Sequence, residues 1–219
     1  MVRDTVLYMI SHLKKMVTKS LNNIERLKEK SRFLIPYTHK KFIKKNFLKQ
    51  HGYNINFKEP ITLTEKIQWL KLYGSLENYS KYVDKNEVRS YVHETVGKDY
   101  LIPKIGVYKS ASDIDLDSLP EKFVIKATHG SGWNMIVKDK SKLDWNFAKK
   151  KITKWINTNY FYISGEKNYK NIRGKVIIEQ LIGDPNGAMK EYKFYCYRGE
   201  PKYAVAVTVT EKCERKRVL

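Results

Sequence analysis

One stretch constrains the fold of this chain more than any other: Lys122-Phe-Val-Ile-Lys-Ala127, then Thr128-His-Gly-Ser-Gly-Trp-Asn134, then Met135-Ile-Val-Lys138. An apolar run of strand length, a loop with two glycines and a returning apolar run predict a strand–loop–strand hairpin. Lys126 sits near the end of the first strand. Gly130 and Gly132 open backbone conformations closed to other residues. Successive amide N–H groups can then converge on one point and form an anion nest. Ser131 and Thr128 add hydroxyl donors, and Lys126 adds a fixed positive charge. Such a loop can grip nucleotide phosphates. It is not a Walker loop, because the GxxxxGK[ST] spacing is absent and no helix follows directly. An ordinary glycine-containing hairpin uses the same residues, and the loop by itself does not decide between the two.

The flanking sequence alternates helix and strand signals. Thr62-Leu-Thr-Glu65 is a capping box opening a helix, with Ile67, Leu70 and Tyr73 as its expected apolar face and Gly74 as its stop. Asp84 to Val96 predicts a second helix, capped by Asp84 with Glu87, striped by Val88, Val92 and Val96, and ended by Gly97. Ile105 to Tyr108 is a short strand. Asp144 to Asn157 is a helix with Trp145, Ala148, Ile152 and Trp155 on one face, and Lys175 to Glu179 is a further strand. Asp184-Pro-Asn-Gly187 is a turn. Glu191 to Tyr197 and Tyr203 to Val209 predict a hairpin across Arg198-Gly-Glu-Pro201.

Two more patterns carry chemistry. Val176-Ile-Ile-Glu-Gln-Leu-Ile-Gly183 runs from an apolar strand into a carboxylate and a bend. Its backbone can read an adenine edge and Glu179 can accept from an amino or ribose hydroxyl group. A strand ending in a surface glutamate has the same sequence. In Glu191-Tyr-Lys-Phe194, the two-residue period puts Glu191 and Lys193 on one face. That suits a metal–phosphate site, and equally a surface ion pair.

Taken in order, these parts resemble the ATP-grasp superfamily: Asp84-Lys85, Gly97 to Pro103, Lys126, Gly130 to Gly132, and Glu179 to Gly183. Glu65-Lys-Ile-Gln-Trp-Leu-Lys-Leu-Tyr73, Asp84-Lys-Asn-Glu-Val-Arg89, Phe123-Val-Ile-Lys126, His129-Gly-Ser-Gly-Trp-Asn134 and Tyr192-Lys-Phe194 narrow it to the TupA-like ATP-grasp family, over roughly residues 55–207. The resemblance implies an α+β fold. A basic helical region would span residues 1–54, and mixed α/β lobes with a mostly antiparallel sheet would span 55–219. It implies ATP and Mg²⁺ as ligands and a role in teichuronopeptide or other cell-surface polysaccharide synthesis. By that resemblance Lys126 contacts the α- or β-phosphate, and Gly130, Ser131 and Gly132 close over the phosphates. Glu179 holds the adenine or ribose end, with Leu181 near the base. Lys193 reaches the γ-phosphate or acyl-phosphate as the catalytic cation, and His129 and Asn134 are further loop contacts. Lys85 and Arg89 hold substrate or pack. Relatives carry their principal Mg²⁺ carboxylates after this point, and the stretch Glu211 to Leu219 offers no such pattern. The expectation is a chain whose C-terminal strands and metal ligands are missing.

Composition bounds the rest. A chain of 219 residues, 42% hydrophobic and 13% aromatic, can bury a core. No apolar run approaches the roughly 20 residues of a membrane span. His12, Lys14 and Lys15 interrupt the apolar start, so no signal peptide is expected and the protein is placed in the cytoplasm. Cys196 and Cys213 form no CxxC pattern and read as reduced thiols. The net charge of +20 attracts polyanions, and an acidic or amino-acid-bearing polysaccharide fits it. No helix-turn-helix, zinc knuckle or aromatic RNA-binding pattern points to a specific nucleic acid. Residues 1 to about 50 read as basic helix, with Val6, Met9, Ile10, Leu13, Met16 and Val17 at helical spacing, a break at Pro36, and a short helix over Lys40–Gln50. This region is expected either to pack or to lie against the inner face of a membrane. Three functions follow: an ATP-dependent carboxylate-amine ligase, a glycosyltransferase, or a non-enzymatic basic binder.

Overall fold

The computed structural model describes residues 36–183, 189–209 and 215–218. The chain divides into two compact units between Glu179 and Gln180.

The first unit opens with α1 (Pro36–His51). Pro36 starts this helix, where its missing N–H and fixed φ cost nothing. His39, Ile43 and Phe47 recur at i, i+4 and i+8 and are buried. Ile43 and Phe47 cluster with Ile55 and Phe57, against which Phe42 and Leu72 pack. The helix α2 (Leu63–Tyr73) begins with the capping box intact. Glu65 N–H donates to Thr62 Oγ1 at 3.2 Å, while Glu65 Oε2 accepts from the Thr62 and Ile61 N–H groups at 2.9 and 3.0 Å. The expected apolar face of α2 is a correction: Ile67, Leu70 and Tyr73 are exposed. Glu65, turned back to cap its own N-terminus, is buried, and Leu72 makes the inward contact.

After a single helical turn at Ser80–Val83, the second predicted helix starts later than expected, as α3 (Val88–Val96). Asp84 caps the intervening turn, its Oδ1 accepting from the N–H groups of Asn86 and Glu87 at 2.8 and 3.3 Å.

A four-stranded sheet follows, built from β1 (Lys104–Tyr108), β2 (Phe123–Ala127), β3 (Asn134–Val137) and β4 (Val176–Gln180), in the order β1-β4-β2-β3. β1 and β4 pair antiparallel, as do β2 and β3, with Lys126 opposite Asn134 and Lys104 opposite Glu179. Alternation sorts the two inner strands. Phe123 and Ile125 of β2, with Val176 and Ile178 of β4, enter a core completed by Ile152 and Trp155 of α4 (Trp145–Asn157) and by Ala111, Ile114 and Leu119. Each buried Val, Leu, Ile or Phe side chain among these stabilises the fold by about 1.5–3 kcal/mol. Lys126 and Glu179 fall on the opposite sheet face, with Val124 and Ile177. Asp144 caps α4, accepting from Phe147 N–H at 2.9 Å.

The second unit holds β5 (Met189–Tyr197), β6 (Glu200–Val209) and β7 (Arg215–Val218), an antiparallel sheet in that order. Arg198 and Gly199 join β5 to β6 with φ of 53° and 83°. Two positive φ values in a two-residue loop make a turn whose twist matches the strands. β7 is a strand where the sequence reading had none. The predicted helix before Pro36, the turn at 184–187 and Cys213 lie outside the described residues.

Candidate functional site

The site is built where the β2–β3 hairpin meets the turn before α3 and the end of β4. The hairpin closes by Ala127 N–H donating to Trp133 O at 2.9 Å. Its first half is buried and clamped. Lys85 N–H donates to Thr128 O at 3.0 Å, Thr128 Oγ1 donates to Asp84 Oδ2 at 3.4 Å, and Lys85 Nζ donates to Gly130 O. His129 is 1% exposed. Its Nε2 faces the carbonyls of Trp155 and Thr158 at 2.9 and 3.1 Å. Carbonyls only accept, so Nε2 carries the proton, and His129 ties the loop to the end of α4. Burial first, against those carbonyls and the Asp84 charge, holds its pKa below the ordinary histidine value.

The second half of the loop is open. Ser131 and Gly132 are exposed, and Gly132 has φ +72°, which favours glycine. Gly130 answers a different need. A Cβ there would meet the Trp133 ring at 2.7 Å, so the indole lies where only a glycine leaves room. Trp133 packs edge-on against His129 and Tyr160, with ring centroids 5.5 and 5.2 Å apart.

Two cations share one carboxylate at this site. Glu179 Oε2 takes Lys126 Nζ at 2.7 Å and Glu179 Oε1 takes Arg89 Nη1 at 2.6 Å. Arg89 Nη2 donates to Ile102 O at 2.7 Å. A buried carboxylate must find such partners or lose its charge. Lys175 pairs with Glu87 at 3.1 Å and fastens the start of β4 to the start of α3. Burial, then the Lys126 charge, lowers the pKa of Lys85, with Asp84 and Glu179 opposing. Lys85, Arg89 and Lys126 outnumber Asp84 and Glu179 by one charge, so the cluster favours an arriving anion.

Lys126, His129, Gly130, Ser131, Gly132 and Glu179 therefore come together in the first unit. Within that group His129 is committed to the α4 carbonyls, and both Glu179 oxygens are on cations. Leu181 and Lys193 belong to the second unit. Lys193 Nζ lies 3.6 Å from Glu191 Oε1 on β5, and both are partly exposed. Neither the seat of Trp133 against Gly130 nor the double pairing of Glu179 is visible in the local sequence. A carboxylate ending an all-apolar strand was the available signal for the pairing.

A family model described as TupA-like ATP-grasp matches residues 65–219. This chain belongs to the TupA-like ATP-grasp family. No curated protein and no solved structure matches it. The α+β fold of helices with antiparallel sheets is that of an ATP-grasp protein, and the family is ATP-binding. The hairpin carries Lys126 near its start and the exposed Ser131 and Gly132 at its tip. The fit to Mg²⁺ is different. No three His, Cys, Asp or Glu side chains gather among the described residues. The two carboxylates beside the hairpin are already engaged, Glu179 by cations and Asp84 by amides and Thr128. No helix among the described residues is long and apolar enough to cross a membrane.

Proposed function

We propose that this protein binds ATP at the β2–β3 hairpin and serves cell-surface polysaccharide biosynthesis as an ATP-dependent carboxylate-amine ligase. The observation that carries the reading is that Lys126 and Arg89 are ordered on Glu179 and Lys85 on the Gly130 carbonyl, in the same hairpin whose Ser131 and Gly132 are exposed. Lys126 neutralises an α- or β-phosphate oxygen, and Gly130 to Gly132 close over the phosphates. Glu179 acts by fixing Lys126 and Arg89, which leaves the adenine or ribose end to the bend at Leu181. On the family resemblance, Lys193 is the cation proposed for the γ-phosphate or acyl-phosphate. Mg²⁺ carried in with ATP would supply charge neutralisation to the phosphates, and none of the described carboxylates is assigned to hold it. The acceptor is an acidic or amino-acid-bearing polysaccharide precursor, matched to the net charge of +20, and the protein works in the cytoplasm at the inner face of the membrane.

Thermal unfolding with ATP and Mg²⁺, ATP and chelator, or a UDP-sugar tests this. A ligand that binds only the folded state stabilises it by about 2.7 kcal/mol at a hundredfold excess over Kd. The expected result is a rise in Tm with ATP that Lys126→Ala abolishes. No rise with ATP overturns the reading, and a rise with UDP-sugar alone makes the protein a sugar transferase.

A further inference from the structure

We propose that the outer faces of α1 and α2 form a docking surface for an anionic phospholipid bilayer. This gives the proposed membrane location a physical site, made of residues apart from the hairpin and testable without nucleotide.

The first observation is a helix turned inside out. On α2, Leu63, Ile67 and Leu70 recur at i, i+4 and i+7, the spacing of an apolar stripe. They are 74%, 42% and 45% exposed, and Ile61 just before the helix is 74% exposed. An isolated exposed leucine means nothing, but a contiguous stripe marks an interaction surface. Lys66, on the same side of the helix, is exposed as well.

The second observation is independent of the first. α1 contains no acidic residue. At 3.6 residues per turn, Lys41, Lys44, Lys45, Leu48 and Lys49 fall on the side opposite His39, Ile43 and Phe47. All five are exposed. The apolar side of α1 is used up in the fold, so its free side is basic with one leucine.

The two helices are neighbours seated on one segment. His39 Nε2 lies 2.8 Å from Gly165 O, and Lys71 Nζ donates to Ser164 O at 3.2 Å. Phe47 packs edge-on against Tyr53 at 5.0 Å, and the Tyr53 hydroxyl meets Thr62 Oγ1 at 3.5 Å at the start of α2. Leu72 of α2 packs on the cluster that holds Ile43 and Phe47 of α1, so the lysine side of α1 and the Leu63–Ile67–Leu70 stripe are each the side turned from that shared cluster.

The combination selects the partner. A soluble polyanion, such as an acidic polysaccharide or a nucleic acid, would use the lysines and leave the Leu63–Ile67–Leu70 stripe bare. A second copy of this chain would bring equal lysines against lysines. An anionic bilayer takes both: headgroups receive the ammonium groups while the acyl boundary receives the aliphatic stripe. α1 and Leu63 lie before the family match begins at residue 65, while Lys66, Ile67 and Leu70 fall in its first residues.

Flotation of the full chain with vesicles tests the assignment. One set is phosphatidylcholine alone and the other is phosphatidylcholine mixed with phosphatidylglycerol. The chain should float with the mixed vesicles only. Lys44→Gln with Lys45→Gln should weaken partitioning by about fivefold for each lysine removed. Leu63→Ser with Ile67→Ser should abolish flotation while leaving Tm and the nucleotide response unchanged. Equal flotation with neutral vesicles, no flotation, or flotation indifferent to Leu63→Ser/Ile67→Ser each overturns the proposal. So does a loss of Tm in that variant, which would show the stripe covered within the chain, or a dimer that the variant dissociates.

Discussion

Glu179 is the residue on which the site's electrostatics turn. Its side chain is 8% exposed and holds two cations that would otherwise repel one another. Glu179→Ala leaves Arg89 and Lys126 close and unpaired, a change expected to cost about 3 kcal/mol of stability. Lys126→Met is expected to cost about 1 kcal/mol, because Glu179 keeps Arg89 and the lysine is 26% exposed. Urea midpoints of the two variants decide it. Equal losses would mean that solvent, rather than Glu179, screens the cations. The asymmetry also keeps the nucleotide test readable, since a Lys126 variant that folds can fail to bind ATP for one reason only.

At the level of elements, local signals wrote themselves plainly into the sequence and long-range ones did not. The turn between β5 and β6 is local. Gly199 sits at φ 83°, where a side chain is strained. Gly199→Ala is expected to destabilise the hairpin by about 1 kcal/mol, read as lost amide protection along β5 and β6 by hydrogen exchange. Unchanged protection would remove the turn as a determinant of that sheet. Arg198→Asn should change little, since relief of strain at φ 53° offsets loss of the guanidinium over the Tyr197 ring at 5.5 Å. The capping box at Thr62, the hairpin at 123–137 and the helix over Trp145–Asn157 were legible for the same local reason. The face of α2 was not. Periodicity shows that a stripe exists, but only the tertiary contacts of Leu72 and Glu65 say which way it points. The partners of Glu179 were equally unreadable, being 53 and 90 residues away in sequence.

Across the described molecule, two buried histidines set how stability depends on pH. His39 is lowered by burial first, then by the Lys167, Lys170 and Lys71 charges, against its bond to the Gly165 carbonyl. His129 is lowered by burial against the backbone of Trp155, Thr158 and Lys175 and the Asp84 charge. In both, the unfolded chain binds a proton more readily than the folded one. Stability from this source is therefore complete above the unfolded value near 6.5 and falls as pH drops below it toward the folded values. Each histidine contributes at most about 1.4 kcal/mol per pH unit in that window. The carboxylates held low, Glu65 and Glu87, titrate below it and do not blur the effect. Urea midpoints should thus fall between about pH 7 and about pH 5, with His129→Gln flattening the slope by about half. Folded His129 stays neutral until pH falls to its own lowered value, so its tie to the α4 carbonyls persists while stability is already falling. ATP affinity should therefore hold as the midpoint begins to drop, and weaken only at the lower pH where folded His129 takes up a proton. Affinity that falls in step with the midpoint from about pH 7 would show His129 charged in the folded loop, against its burial.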